Sequence, residues 1–141
     1  MTADHRPAPL VPVSWGELLD KITILEIKAA RITDPAARAN VARELALLRD
    51  AAAPVLSQPG LAPLIDGLRR VNGALWDIED DIRAKEAAAC FDAGFISLAR
   101  AVYRTNDERS ALKRRINALL QSELVEEKYH AARADAAPQD R

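Results

Sequence analysis

The sequence has few of the features that mark disulfide-bonded, metal-binding or membrane proteins. Among its 141 residues there is one cysteine, Cys90, so the chain forms no internal disulfide and a cysteine-based metal site is not expected. No stretch approaches the ~20 apolar residues of a membrane span, and residues 1–13 have no apolar segment typical of a signal peptide. We therefore predict a soluble protein of the reducing cytoplasm, without a membrane span.

Sequence motifs for cofactor or metal binding are also missing. There is no glycine-rich phosphate loop, no serine nucleophile elbow and no Cys/His dyad, so we predict no cofactor and identify no catalytic residue. Glu127 and His130 match the E-x-x-H pattern of di-iron bundles, but such sites need two pairs and the only other histidine is His5. No metal site is predicted. A formal net charge of −1 gives no global field that would attract nucleic acid.

The composition that remains favours helices. The chain is 49% hydrophobic and 29% charged, with 5 glycines and 4% aromatic residues, which is typical of an all-α protein. One domain is expected at this length. We predict a helical-bundle domain at residues 11–130, flanked by disordered tails at residues 1–10 and 131–141 that lack an apolar period.

Capping residues mark where the helices begin. Ser14 and Glu17 match a capping box, in which the serine hydroxyl accepts from the Glu17 amide and the carboxylate accepts from the Ser14 amide. Asp34 and Asp92 are N-cap residues expected for two further helices. The apolar spacing predicts an up-down bundle in which helices 3 and 4 form a long antiparallel hairpin, and a break in helix 4 near Arg104 is an alternative. The predicted helices cover residues 15–33, 35–53, 62–87 and 92–120.

Helix 1 contains more large apolar residues than one helix face holds. Ile24 and Ile27 lie away from its main apolar stripe, which consists of Leu18, Ile22, Leu25, Ala29 and Ile32. Another part of the protein must therefore cover these two isoleucines. One possibility is that the C-terminal segment folds back over them, using Leu124, Val125 and Tyr129. The other, which we favour, is a homodimer in which helix 1 meets its mate across a two-fold axis.

Two polar residues interrupt the apolar stripe of helix 4. Thr105 and Arg109 occupy heptad positions that otherwise hold apolar residues. A buried guanidinium must be paired or must line a wet cleft, because an unpaired buried charge is strongly destabilising. In the interpretation that we prefer, its partners come from Glu26, Asn72, Glu79 and Glu86. The alternative is an anion pocket. The candidate ligand-binding residues form one polar cluster, which comprises Glu26, Trp76, Glu79, Arg83, Arg100, Tyr103, Asn106, Arg109 and Lys113.

Four blocks of the sequence resemble a small bacterial protein family classified as a domain of unknown function. The blocks are VSWGELLDKITILEIK, LWDIEDDIR, FDAGFISLARAVYRTNDER and LVEEKYH, between about Val11 and Tyr129. The resemblance implies a link to surface-polysaccharide synthesis, because members of that family occur near genes for it. It also implies that the family's polar positions fall on Glu17, Asp20, Lys21, Glu26, Trp76, Glu79, Asp80, Arg83, Tyr103, Asn106, Asp107 and Arg109. Gln121-Ser122 departs from the expected Gly-Ser, so the end of helix 4 lacks its usual glycine cap.

Two classes of function are compatible with these patterns. The first is a non-catalytic interaction or accessory module, because the sequence shows surplus apolar faces and no catalytic constellation. A partner protein is then expected in addition to the homodimer. The second is a small helical enzyme or binder that encloses an anionic metabolite with arginine, lysine, asparagine and glutamate side chains. We favour the first class.

Overall fold

The structure is a computed structural model that describes residues 5–130. In chain order its elements are α1 (Trp15–Arg31), α2 (Pro35–Ala52), a 3-10 turn (Ala53–Val55), α3 (Leu61–Ala87) and α4 (Ala93–Leu119). The described residues contain no strand. The predicted all-α class and the α3/α4 hairpin are confirmed, and the observed helix ends differ from the predicted ones by at most two residues.

Two further predictions concern the continuity of α4 and the order of the two chain ends. α4 continues through Arg104 without interruption, so the alternative break at that residue is wrong. The predicted disordered tails reach into residues 1–4 and 131–141, which lie outside the described residues, and for that reason the tails stay predictions.

α1, α2 and α4 each begin at a capping side chain. Ser14 Oγ accepts from the amide of Glu17 at 3.1 Å, and Asp34 and Asp92 cap α2 and α4 in the same way. Among the described residues, the reciprocal half of the predicted capping box, from the Ser14 amide to the Glu17 carboxylate, does not form. Within residues 5–130, the Glu17 carboxylate accepts from Lys113 Nζ at 2.7 Å instead. The first turn of α1 is therefore tied to α4 as well as to its own cap.

α1 is the central helix of the bundle. Among the described residues it packs against α2, α3 and α4, whereas the backbone of α2 approaches only α1 and the 3-10 turn. A helix covered on two sides needs more apolar positions than a surface helix. The buried residues of α1 are Gly16, Leu18, Leu19, Asp20, Ile22, Thr23 and Leu25. The central position explains why this one helix contains so many large apolar residues.

The two ends of α1 fix its direction in the bundle. At its start, Gly16 N donates to Oδ1 of the buried Asn117 at 2.7 Å. A Cβ atom on Gly16 would lie 2.6 Å from the carbonyl oxygen of Lys113, so the close approach of the two helices requires glycine. At its end, Arg31 donates to Asp77 of α3. α1 therefore runs antiparallel to α4 and ends close to Asp77.

The core lies at one end of the α3/α4 hairpin. Leu19, Leu68 and Ile116 are at most 1% exposed and pack where α1 contacts both long helices. From Gly73 to Ala111, in contrast, every residue is at least partly exposed. The core therefore ends before the hairpin does.

The part of the hairpin beyond α1 consists of two helices only. We call this part, residues 78–105, the arm. Two helices cannot enclose the side chains between them, because each apolar stripe still has one open side. Five large apolar residues of the arm are accordingly only half-buried, and they are Ile78, Ile82, Phe95, Leu98 and Val102.

Candidate functional site

The polar site of the bundle is centred on Asp20, whose residue surface is 1% exposed. Asp20 Oδ1 accepts from Asn72 Nδ2 at 2.8 Å and from Arg109 Nε at 2.9 Å, and Oδ2 accepts from Arg109 Nη2 at 2.5 Å. Asn72 also donates to Thr23 Oγ1 at 2.9 Å, and Thr23 donates to the Asp20 carbonyl oxygen at 2.7 Å. The network thus joins α1, α3 and α4 through one buried carboxylate.

The geometry of this network explains how a charge is tolerated there. The Arg109 guanidinium holds both oxygens of Asp20 in a two-pronged pair, which is the strongest form of such a contact. The hydrogen bond that Arg109 donates to Asp20 outweighs partial burial and raises the pKa of Arg109. The Arg109 side chain is still 29% exposed, so one edge of the guanidinium reaches solvent.

The partner of Arg109 differs from those that the sequence suggested. Glu26 lies elsewhere, where it accepts from Arg69 at 3.0 Å, and Glu79 forms a loose pair with Arg83 at 3.7 Å. Asp20 was not among the partners that helix periodicity suggested. A signal was present, because Gly16, Asp20, Thr23 and Ile27 recur at 4-3-4 spacing and so form a second stripe on α1.

A second charged contact lies next to the Asp20 network. Lys113 Nζ donates to Glu17 Oε2 at 2.7 Å and to Glu126 Oε2 at 2.6 Å, and its side chain is only 11% exposed. Burial lowers the pKa of Lys113, but the hydrogen bonds to Glu126 and Glu17 oppose it and the pKa is raised on balance. The hydrogen bond from Lys113 in turn lowers the pKa of Glu126. Lys113 therefore links α1 and α4 to the segment that follows α4.

This C-terminal segment, residues 121–130, is called the strap. It begins at Gln121, which adopts φ 51° in place of the glycine that the family pattern led us to expect. Ser122 Oγ accepts from the amide of Trp15 at 3.3 Å and donates to the carbonyl oxygen of Leu124 at 2.6 Å. Farther along, Lys128 pairs with Asp107 of α4 at 3.0 Å. The strap therefore lies along α4.

The course of the strap excludes one of the two explanations for how Ile24 and Ile27 of α1 are covered. Leu124, Val125 and Tyr129 are 42%, 54% and 76% exposed, and the strap lines a groove on α4 rather than the surface around Ile24 and Ile27. The alternative in which these three side chains fold back over the isoleucines is therefore wrong. Both isoleucines are half-buried and line a cleft.

Two clefts open on either side of Arg109. The junction cleft, about 520 Å³, is lined by Ile24, Ile27, Asn72, Leu75, Trp76, Glu79, Asp80, Arg83, Asn106 and Arg109. The strap groove, about 600 Å³, is lined by Tyr103, Asn106, Asp107, Arg109, Ser110, Lys113, Glu126, Glu127, Lys128 and His130. Asn106 and Arg109 belong to both.

The clefts divide the candidate cluster predicted from the sequence. The junction cleft brings Trp76, Glu79 and Arg83 together with Asn106 and Arg109. The strap groove adds two more members of the cluster, Tyr103 and Lys113. Two residues fall outside both clefts: Glu26 faces Arg69, and Arg100 is exposed on α4.

The charges around the clefts are nearly balanced. In the junction cleft, Glu79 and Asp80 offset Arg83 and Arg109, and Asp20 lies behind Arg109. In the part of the chain that the structure describes, every buried side-chain nitrogen or oxygen has a hydrogen-bond partner. No group of three metal-ligating side chains occurs among residues 5–130. The arrangement is therefore a polar junction whose buried groups are paired and whose charges nearly cancel.

One property of the helices concerns membranes. Over residues 5–130, no helix combines the length and the apolar character that crossing a bilayer requires.

Comparison with known proteins gives one match. No curated protein and no solved structure matches the chain. A family model does match, over residues 10–139, and its description is "Family of unknown function (DUF6165)". The resemblance to a family of unknown function is therefore confirmed. Because the match spans nearly the whole chain, the protein belongs to the DUF6165 family.

Proposed function

We propose that this protein is a non-catalytic interaction module whose arm binds another protein chain, and that it is an accessory to surface-polysaccharide synthesis. The observation that carries the proposal is the absence of a buried residue between Gly73 and Ala111 in the described chain. Half-buried apolar residues line the arm on both helices. Apolar side chains that stay partly exposed along both helices favour a protein–protein contact.

The exposed aromatic and aliphatic residues of the arm support the same conclusion. Phe91, Ile96 and Tyr103 are each more than half exposed and lie at or near the distal half of the hairpin. Interfaces are enriched in aromatic side chains, which bury much area at a small loss of conformational entropy. The arm therefore presents the residue types that anchor protein contacts.

The polar junction supports a structural role for the charged residues. Arg109 binds both oxygens of Asp20, and Lys113 binds two carboxylates. Both cations are already paired with carboxylates of the protein, as in a structural ion-pair network. The link to surface polysaccharide rests on the family resemblance.

The proposal is tested by affinity capture from an extract of cells that express the protein natively. The bait is the full chain, and a matched bait has Phe91→Asp and Ile96→Asp, two exposed positions that should leave the fold intact. Leu47→Asp, at an exposed leucine of α2, controls for the added charge. We expect the wild type and Leu47→Asp to retain an enzyme of polysaccharide synthesis that the arm variant loses. Equal retention by all three baits, or by none, would contradict the proposal.

A second candidate function is supported by the junction cleft. Trp76, Asn106 and Arg109 converge in a space of about 520 Å³, which is within the size range of small-molecule sites. The exposed edge of Arg109 would then meet a carboxylate or phosphate group. A thermal-shift screen of nucleotide sugars, phosphosugars and dicarboxylates tests this, because a ligand at 100 times its Kd should add ~2.7 kcal/mol of stability. A hit that Arg109→Leu abolishes would favour the binder over the interaction module.

A further inference from the structure

The face of α3 that meets α1 continues along the arm. Asn72 meets α1 at Asp20, and Trp76, Glu79 and Arg83 follow Asn72 at 4-3-4 spacing, so these four residues share one face of α3. α1 ends near Asp77, and beyond that point the same face of α3 has no third helix over it in the described residues. The open face of the arm is therefore the continuation of the site that α1 occupies in the core.

The acidic and basic residues on this open face can pair with the same residues of a second copy. Glu79 and Arg83 are four residues apart, and their mutual contact is loose, at 3.7 Å between Oε2 and Nε. If two arms lie antiparallel with a two-fold axis level with Asp81, Glu79 of each chain faces the partner's Arg83. Both pairs form at once, because a two-fold interface repeats every contact. A second copy of the chain thus supplies the charges that this face requires.

The same axis places an aromatic side chain over the junction cleft. Phe91 lies at the tip of the arm, 57% exposed, with its ring edge-on to Phe95 at a centroid distance of 5.2 Å. α3 ends at Ala87, which this axis sets level with Leu75 of the other copy, so the turn that carries Phe91 would lie over the junction cleft. The apolar part of the cleft wall, which consists of Ile24, Ile27, Leu75 and Trp76, is the part that Phe91 would meet.

We propose that two copies of this protein form an antiparallel dimer through their arms, with reciprocal Glu79–Arg83 pairs and with Phe91 of each chain in the junction cleft of the other. The inference rests on the proposed interaction function and names the partner as a second copy. It also explains how Ile24 and Ile27 are covered, because they lie at the inner end of the interface, where Phe91 of the other chain enters the cleft. The partner contributes a residue to the cleft, so each cleft is complete only in the dimer.

The charge pairs are tested by sedimentation of purified full-length chains from low micromolar to near-millimolar concentration. We expect the wild type to be a dimer. Glu79→Arg places two arginines on the face and Arg83→Glu places two glutamates there, so each variant alone should be monomeric. An equimolar mixture of the two variants should again sediment as a dimer, because each contact across the axis then joins an arginine of one chain to a glutamate of the other. Pairing within one chain cannot restore the dimer in that mixture.

The aromatic contact is tested separately. Phe91→Ala should weaken dimerisation by at least tenfold in Kd, and Leu47→Ala, at a leucine of α2 exposed to the same degree, should leave it unchanged. Circular dichroism of each variant verifies that the helices are intact. In the wild-type dimer, Trp76 fluorescence should shift to shorter wavelength on association, and Phe91→Ala should remove that shift.

Three results would overturn the inference. These are a wild type that is monomeric at every concentration, a dimer that both charge variants retain, and a mixture that stays monomeric. A monomeric wild type that still retains a partner protein through its arm would refute the dimer and leave the proposed function standing. A dimer whose arm captures no enzyme of polysaccharide synthesis would support the inference and refute the proposed accessory role.

Discussion

Arg109 and Asp20 form a two-pronged ion pair although 89 residues separate them in the chain. The pair lies where α1, α3 and α4 meet, and the carboxylate is fully withdrawn from solvent while the guanidinium keeps one open edge. Because the acid is buried, the contribution of the pair depends on both partners being present. This asymmetry leads to the first prediction.

Arg109→Ala should lower the free energy of unfolding by ~3–5 kcal/mol, because it leaves the buried Asp20 carboxylate without its cation. Urea unfolding followed by circular dichroism measures the loss. Arg100→Ala, at an exposed arginine on the same helix, should change stability by no more than ~0.5 kcal/mol. In the double variant Asp20→Leu/Arg109→Leu, both charges are gone and stability should exceed that of Arg109→Ala. A loss below about 1 kcal/mol for Arg109→Ala would show that the pair is not structural.

Gly16→Ala should destabilise the protein by ~1–3 kcal/mol, because the added Cβ would press on the backbone of α4. Gly73 provides the matched control. A Cβ at Gly73 meets nothing within 4 Å, and alanine is the better helix former, so Gly73→Ala should stabilise by ~0.5–1 kcal/mol. Thermal unfolding of both variants distinguishes close packing from helix propensity. Equal shifts of the two melting temperatures in the same direction would contradict this account.

Ser14→Ala should reduce stability by ~1 kcal/mol, because it removes the acceptor for the amide of Glu17 at the start of α1. Ser14→Asp restores an acceptor and should recover most of the loss. The measurement is the urea midpoint at constant slope. No difference between wild type and Ser14→Ala would mean that the cap does not stabilise the helix.

The stability of the protein should fall at acid pH partly through Asp92. The backbone amide of Phe95 and then the ammonium group of Lys85 hold the pKa of Asp92 at about 2, below the ordinary 3.8. A lowered pKa in the folded state means that the contribution is complete above the unfolded pKa and disappears as pH falls from about 3.8 towards 2. Asp92→Ser keeps a capping oxygen but does not titrate. Its urea midpoint should therefore decline less steeply over this interval than that of the wild type.

The helices and their ends could be predicted because their determinants are local. Ser14, Asp34 and Asp92 each bond an amide three residues ahead, and such contacts are visible in the sequence. The candidate site was predicted only in part. Arg109 was identified because a charge interrupts an apolar stripe, but Glu26 was placed in its cluster although it faces Arg69. Periodicity gives the face of a helix and not the neighbour that the face meets.

By itself, the sequence determined an all-α chain, four helix positions, a long hairpin and a charge that had to be neutralised. Tertiary structure alone decided that α1 is central and that Asp20 rather than Glu79 neutralises Arg109. It also decided that the hairpin extends beyond the core as an arm. The physical reason is the distance along the chain over which each effect acts. Caps and apolar periods act over three or four residues, whereas the choice of a partner depends on how helices pack after the chain has folded back on itself.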